Sequence, residues 1–294
     1  MDRNYELKKD IVLKDYFRNP CIFADFLNGS LYGGKHHYHE NCFENDDTDM
    51  SLVDSDKLKT YERRRDVAFK YKNNKEMTFI CLENQSQVDE LMPVRLLVYD
   101  AFRYNKQLQR GNDIHYVKTL TFYCGDREWN YPYNLKEVLK GERDGSQEDN
   151  DWKMELIDLK RLEEQNYKVE SNQLLVKYGK MVLKDGRNPE KFRGIKISRQ
   201  VFILLASLLG TEQLFEYGIE LKEEEVNMCE SLELLMKDGE ARGRSEGRIE
   251  GKIESKVEDI KKIASKLNMT FTEAMDFLDI PVRQRGDFEI FLTN

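Results

Sequence analysis

Apolar side chains recur at helical spacing between residues 7 and 27. Leu13, Tyr16 and Phe17 share one face, and Ile22, Phe23, Phe26 and Leu27 share another. The step Asn19-Pro20 falls between the two sets, so the segment reads as one helix or as two short ones. Residues 28–56 are rich in Gly, His, Asn and Asp, hold no period, and read as loop. Thr60 to Tyr71 and Met77 to Leu82 read as strands joined by a turn at Lys72-Asn73-Asn74-Lys75. The second strand, MTFICL, is apolar on both faces, which suits a central position in a sheet. Val88 to Leu108 predicts a helix on Leu91, Val94, Arg95, Val98, Ala101 and Phe102, with Pro93 in its first turn. His115 to Tyr123 predicts another strand, ended by Cys124-Gly125.

The order helix, strand, strand, helix, strand is that of a small α/β core, expected over residues 1–150. Beyond Trp152 the pattern turns helical, giving an expected extension over 151–237. Within it Ser198 to Leu209 has a Ser start and Gly210 at its stop. Over 238–256 the repeat DGEARGRSEGRIEGKIES places Gly239, Gly243, Gly247 and Gly251 four apart, along one slowly drifting helical stripe. Each Gly costs a soluble helix about 1 kcal/mol against Ala, so this segment reads first as a solvated charged linker, and second as a helix that pairs through its glycines. Residues 257–294 read as a small helical tail: Val257, Ile260, Ile263, Ala264 and Leu267 carry a period, and Thr270-Phe271-Thr272-Glu273 has the form of a capping box.

Composition changes this picture little. The longest apolar stretch, Val201 to Leu209, is too short to cross a bilayer, and MDRNYELKKD lacks the apolar core of a secretory leader. Five cysteines at irregular positions make no disulfide framework and fit a reducing cytoplasm. The net charge of −8 argues against nucleic acid as a partner only if it is evenly spread, and it is not. Lys57 to Lys72 and Lys177 to Arg199 are locally basic, while the acid surplus lies in 46–56, 142–158 and 212–233.

Candidate chemistry lies in RRRDV (63–67) and CLENQS (81–86). Asp66 falls in one strand candidate and Glu83 ends the next, so pairing of the strands brings two carboxylates to one sheet edge. Magnesium takes oxygen ligands and keeps several waters, so Asp66, Glu83, the backbone carbonyl of Asn84 and water would suffice. Such an ion lowers the pKa of a bound water and offsets charge in phosphodiester hydrolysis.

The block ENQSQVDELMPVRLLVYDAF (83–102) resembles the signature of the Rpn family of recombination-promoting nucleases and transposases, within the PD-(D/E)xK nuclease superfamily. That family pairs an ExQ strand end with a following helix of pattern MPxRxxxYD. RRRDV is similar to its preceding Asp strand, KDIVLKDYFRNPCIFADFLN (9–28) to its opening segment, and TLTFYCG (119–125) to a later strand. The resemblance implies a small mixed sheet flanked by helices, with a helical C-terminal region. It implies a metal-dependent DNA endonuclease using Mg2+, or Mn2+ or Ca2+, with Asp66 and Glu83 as ligands. Gln85 takes the position of the superfamily's Lys, and Gln can only hydrogen-bond where Lys also offsets charge. Asp10 would be an acid from the first helix, against the plainer reading of a helix-start acid. Arg95 and Tyr99 would brace the active edge or touch phosphate.

Arg63, Arg64, Lys70 and Lys72 surround Asp66 in sequence and read either as DNA contacts or as charges guarding a strand edge. His36, His37, His39 and Cys42, in HHYHENC, read as a polar loop or as a zinc site whose spacing matches no standard module. Two other functions stay open. One is a catalytically silent, transposon-derived module that binds DNA or protein. The other is an interaction protein that forms homo-oligomers through its C-terminal region.

Overall fold

The computed structural model describes residues 12–46, 49–54, 59–64, 66–74, 76–111, 113–140, 151–185, 188–208 and 212–281, with 285, 286 and 288. The chain forms two compact units, Met1–Leu232 and Glu233–Asn294. In the first, helix α1 (described over 12–17) is followed directly by α2 (Pro20–Tyr32). The break predicted at Asn19-Pro20 is real: the Asn19 side chain accepts the N–H of Cys21 at 3.0 Å, and Pro20 opens the new helix. Helix α2 runs on to Gly33, whose positive φ of 59° closes it. The expected loop over 28–56 therefore holds the end of a helix and two strands, β1 (Phe43–Asn45) and β2 (Asp49–Asp54).

The expected strand from Thr60 to Tyr71 is two strands. Strand β3 (Lys59–Arg64) pairs with β2 in a separate hairpin, whereas β4 (Val67–Asn73) belongs to the main sheet. The bend at Asp66 separates them. Strand β4 turns at Asn74 (φ 56°) into β5 (Glu76–Gln85), which runs three residues past the expected end. Helix α3 (Met92–Gln109) crosses over to β6 (Tyr116–Tyr123), which lies parallel to β5. After the short helix α4 (Leu135–Val138), β7 (Glu155–Asp158) adds a parallel edge strand. The sheet order is β1-β4-β5-β6-β7, antiparallel at one end and parallel at the other. Strand β7 lies beyond residue 150 yet completes the sheet, and it falls with the core rather than with a separate extension.

The buried β5 is the central strand that its two apolar faces implied. On one face, Phe17, Phe23 and Phe26 of α1 and α2 pack on Phe69 and Phe122 of the sheet. Helix α5 (Glu170–Asp185) joins this layer, its start held by Asp25 of α2, which accepts the N–H groups of Lys168 and Val169. The other face packs against α3. Helices α6 (Arg199–Leu208) and α7 (Glu212–Glu220) and the β8–β9 pair (Lys196–Ser198, Glu225–Asn227) complete the first unit.

In the second unit the glycine repeat is helical: it lies within α8 (Met228–Leu267), not in a linker. The last turns of α8 supply Val257, Ile260 and Ala264 to a small core with Ala274 and Met275 of α9 (Phe271–Phe277). Thr270 and Glu273 form the predicted capping box.

Candidate functional site

Val67 of β4 pairs with Leu82 of β5, so Asp66, the bend residue just before β4, lies beside Glu83. The half-buried Asp66 is fixed by its Oδ2, which accepts the backbone N–H of Asn84 at 2.6 Å. Glu83 is 3% exposed. It lies within β5 rather than at its end, and Gln85 closes the strand. Alternation puts Cys81, Glu83 and Gln85 on the α3 side of the sheet and Asn84 on the α2 side. Across the parallel ladder, Glu83 faces Thr121 and Gln85 faces Tyr123. Thr121 is fully buried, and its Oγ1 has no hydrogen-bond partner among the described residues. The Asn84 amide is likewise buried without one.

The strand ends beyond Gln85 are tied tightly. The Gln85 carbonyl accepts the N–H of Cys124 at 2.9 Å, and Gly125 passes so close to the Ser86 carbonyl and the Tyr123 hydroxyl that a Cβ would sit 2.6 and 2.3 Å from them. Only glycine fits that approach. Asp158 ends β7 in register with Tyr123, and its Oδ1 accepts the N–H of Lys160. A cavity of about 270 Å³ opens where β4 begins, lined by Arg18, Asn45, Asp46, Val67 and Ala68.

Two neighbouring carboxylates, one buried, repel one another and are expensive to hold charged away from water. A hard divalent cation answers both problems, and oxygen donors of this kind suit magnesium. Asp66, Glu83 and the Asn84 carbonyl supply three such donors. No group of three or more His, Cys, Asp or Glu side chains able to hold a metal occurs among the described residues, so His36, His39 and Cys42 make no such cluster. Asp10 lies outside the described residues.

The cations expected around Asp66 are dispersed. Lys70 and Lys72 stand at the far end of β4, paired with Asp46 (3.2 Å) and Glu44 (2.7 Å). Arg63 and Arg64 end β3, in register with Met50 and Asp49, and their side chains lie outside the described part. Arg95 braces the loop after β5, donating to Asp89 at 2.6 Å and to the Tyr99 hydroxyl at 3.3 Å. Burial works against its charge, but these hydrogen bonds prevail and hold the guanidinium above the ordinary arginine value.

Helix α3 also carries residues that sequence reasoning missed. Its buried stripe is Met92, Leu96, Tyr99, Asp100, Arg103 and Gln107, whereas Leu91, Val98 and Ala101 are exposed. The expected stripe is therefore rotated, because the buried polar residues are satisfied one by one. Asp100 accepts from Thr119 and from Trp152, and Arg103 pairs with Asp46. The one sequence signal was the helical spacing of Asp100, Arg103 and Gln107 behind Leu96.

A mixed five-stranded sheet with helices on both faces and a helical C-terminal region defines an α/β protein with a nuclease-like core. The family described as "Putative transposase, YhgA-like" matches residues 8–213, and the chain belongs to it. No curated protein and no solved structure matches the chain. Among the described residues, no helix is long and apolar enough to cross a membrane.

Proposed function

We propose that this chain is a metal-dependent DNA endonuclease of the PD-(D/E)xK type that acts in recombination or on mobile elements. The observation that carries the reading is that Asp66, at the bend just before β4, lies next in line to the Val67–Leu82 pair beside Glu83 of β5 and is pinned by the Asn84 N–H. Asp66, Glu83 and the Asn84 carbonyl would hold Mg2+, or Mn2+ or Ca2+, with Asp10 as a further acid. The ion, when bound, supplies a water of lowered pKa and neutralises charge on the phosphodiester. Asp66 holds its orientation through the backbone bond rather than through a mobile side chain. Glu83, walled in by β6, keeps its carboxylate from bulk water. Gln85, two residues on and on the same face, orients the attacking water by hydrogen bonding through its amide. The family supports DNA as substrate, and five free cysteines support a reducing, cytoplasmic setting.

The test is nicking of a supercoiled plasmid by the full chain with magnesium, manganese, calcium or EDTA, beside Asp66→Ala and Glu83→Gln. Cutting that needs the metal and is lost in both variants is the expected result. A folded protein that fails to cut with any of these metals is a silent binding module instead. Cutting that survives in both variants places the metal elsewhere.

A further inference from the structure

On the same side of the sheet as Glu83, at the opposite end of the β4–β5 hairpin, lies a cavity of about 210 Å³. Its strand wall carries Lys70 and Lys72, and its helix wall, the last turns of α3, carries Arg103, Lys106 and Arg110. Five cations thus line one pocket of a chain whose net charge is −8. Three carboxylates of described residues stand among them: Asp113 in the wall, and Asp46 and Glu44 behind the lysines. Lys70 and the buried Arg103 both converge on Asp46. The Lys72–Glu44 pair is exposed on both sides, and such pairs are weak and exchange readily. Arg110 is exposed and has no carboxylate within ion-pair distance among the described residues.

The pocket is built rather than incidental. Gln107 clips the following loop to the helix, donating to the His115 carbonyl at 3.1 Å and accepting its N–H at 2.7 Å. The Arg103 guanidinium lies 5.0 Å over the Phe79 ring, which with Met77 gives the pocket an apolar floor. Converging cations over a rigid floor suit a phosphate.

We propose that this pocket holds a phosphate of the nucleic-acid backbone while the carboxylate pair engages the same molecule elsewhere. The choice of polymer rests on the nuclease reading. The pocket itself does not. Met77 is six residues from Glu83 along β5, roughly 20 Å at strand rise. Duplex DNA advances 3.4 Å per base pair, so about six base pairs separate the two points. The pocket would thus act as an anchor that rewards longer substrates.

The test measures binding of labelled duplexes of 4 and 20 base pairs to the full chain in EDTA, by fluorescence anisotropy across salt concentrations. The variant is Lys72→Gln with Arg110→Gln, both exposed, and the charge control is Lys222→Gln with Lys252→Gln. For the 20-mer, the variant is expected to bind about tenfold more weakly, with a salt slope smaller by about 1. The 4-mer, too short to span both points, should bind the wild type more weakly than the 20-mer does, and the control should change little. An equal loss in the control, or no loss in the variant, overturns the proposal. Inorganic phosphate and a mononucleotide are titrated in parallel by thermal shift. Stabilisation of the wild type but not the variant, with 20-mer binding unchanged, would assign the pocket to a small phosphate ligand and overturn the backbone role. If nicking fails while the variant lowers the salt slope, the nuclease reading falls and the pocket stands. Intact metal-dependent nicking with an unchanged slope has the reverse meaning.

Discussion

On the α2 side of the central sheet the buried strand side chains are largely apolar, and a cluster of aromatic rings lies among them. Phe17, Phe23, Phe26, Phe43, Phe69 and Phe122 meet at centroid distances of 4.7–6.3 Å. On the α3 side the buried residues include Glu83, Asp100, Arg103, Thr119 and Thr121. The same strands build both faces, and alternate residues face one or the other. A buried ring contributes through area and dispersion with no partner to find. A buried charge must be answered atom by atom, which costs stability and fixes geometry. The aromatic face therefore stabilises the fold, and the polar face places the groups that can do chemistry.

The sharpest test of that division pairs two substitutions. Phe122 is fully buried between β6 and the α1–α2 layer, so Phe122→Ala should destabilise by about 3–5 kcal/mol. Glu83→Gln keeps the volume and removes the repulsion with Asp66. Its urea midpoint should hold or rise while metal-dependent cutting is lost. A Glu83→Gln protein that unfolds early would make Glu83 a structural acid and erase the contrast.

A smaller effect is expected inside the polar face. Arg103 and Asp46 are both buried and joined across α3 and the end of β1. Removing one partner of such a pair typically costs 3–5 kcal/mol, but Lys70 remains on Asp46. Arg103→Met should therefore cost about 3 kcal/mol in chemical unfolding. Adding Asp46→Leu and Lys70→Met should recover much of it, since an apolar set needs no answering charge. No recovery would mean that the face depends on these ions for packing as well as for charge.

The aromatic face was the more legible in sequence, for the same reason. Periodicity detects apolar residues, so it found both N-terminal helices and the central strand, whereas the ExQ strand end was read from the family resemblance. It misread α3, where Leu91 and Val98 are exposed and Asp100 and Arg103 are buried. Each of those is held by a partner far away in sequence, as Arg103 is by Asp46 and Asp100 by Trp152. Local pattern carries no trace of such partners. The same limit merged β3 with β4, because the change of sheet at Asp66 depends on where β2 comes from. The carboxylate pair itself could be read, because adjacent strands joined by a tight turn leave few registers open. The distance from Asp66 to Lys70 and Lys72 could not be read as a separation of roles. In sequence these residues look like one basic cluster, but along an extended strand they spread over about 13–20 Å.

The faces should also part at high pH. Burial raises the hydroxyls of Tyr16, Tyr71 and Tyr167 on the aromatic side and that of Tyr123 on the α3 side. It lifts the Tyr16 and Tyr167 hydroxyls well above the ordinary tyrosine value, with the nearby Asp25 adding to it and hydrogen bonds with Ser171 and Ser30 opposing it. The folded chain then keeps protons that the unfolded chain releases at a pKa of about 10. This contribution is complete below that pH and is lost as pH rises from there through the raised folded values. Urea midpoints should accordingly be flat from pH 8 to 9.5 and fall above about pH 10. Tyr16→Phe should cost about 1 kcal/mol at neutral pH, through the lost bond to Asn172, and should flatten the alkaline fall. If the fall keeps its full slope in Tyr16→Phe and in Tyr167→Phe, deprotonation of these two hydroxyls is not its source. The alkaline loss would then lie with the other buried hydroxyls, Tyr71 on the aromatic side or Tyr123 on the α3 side, and Tyr123→Phe decides between the faces.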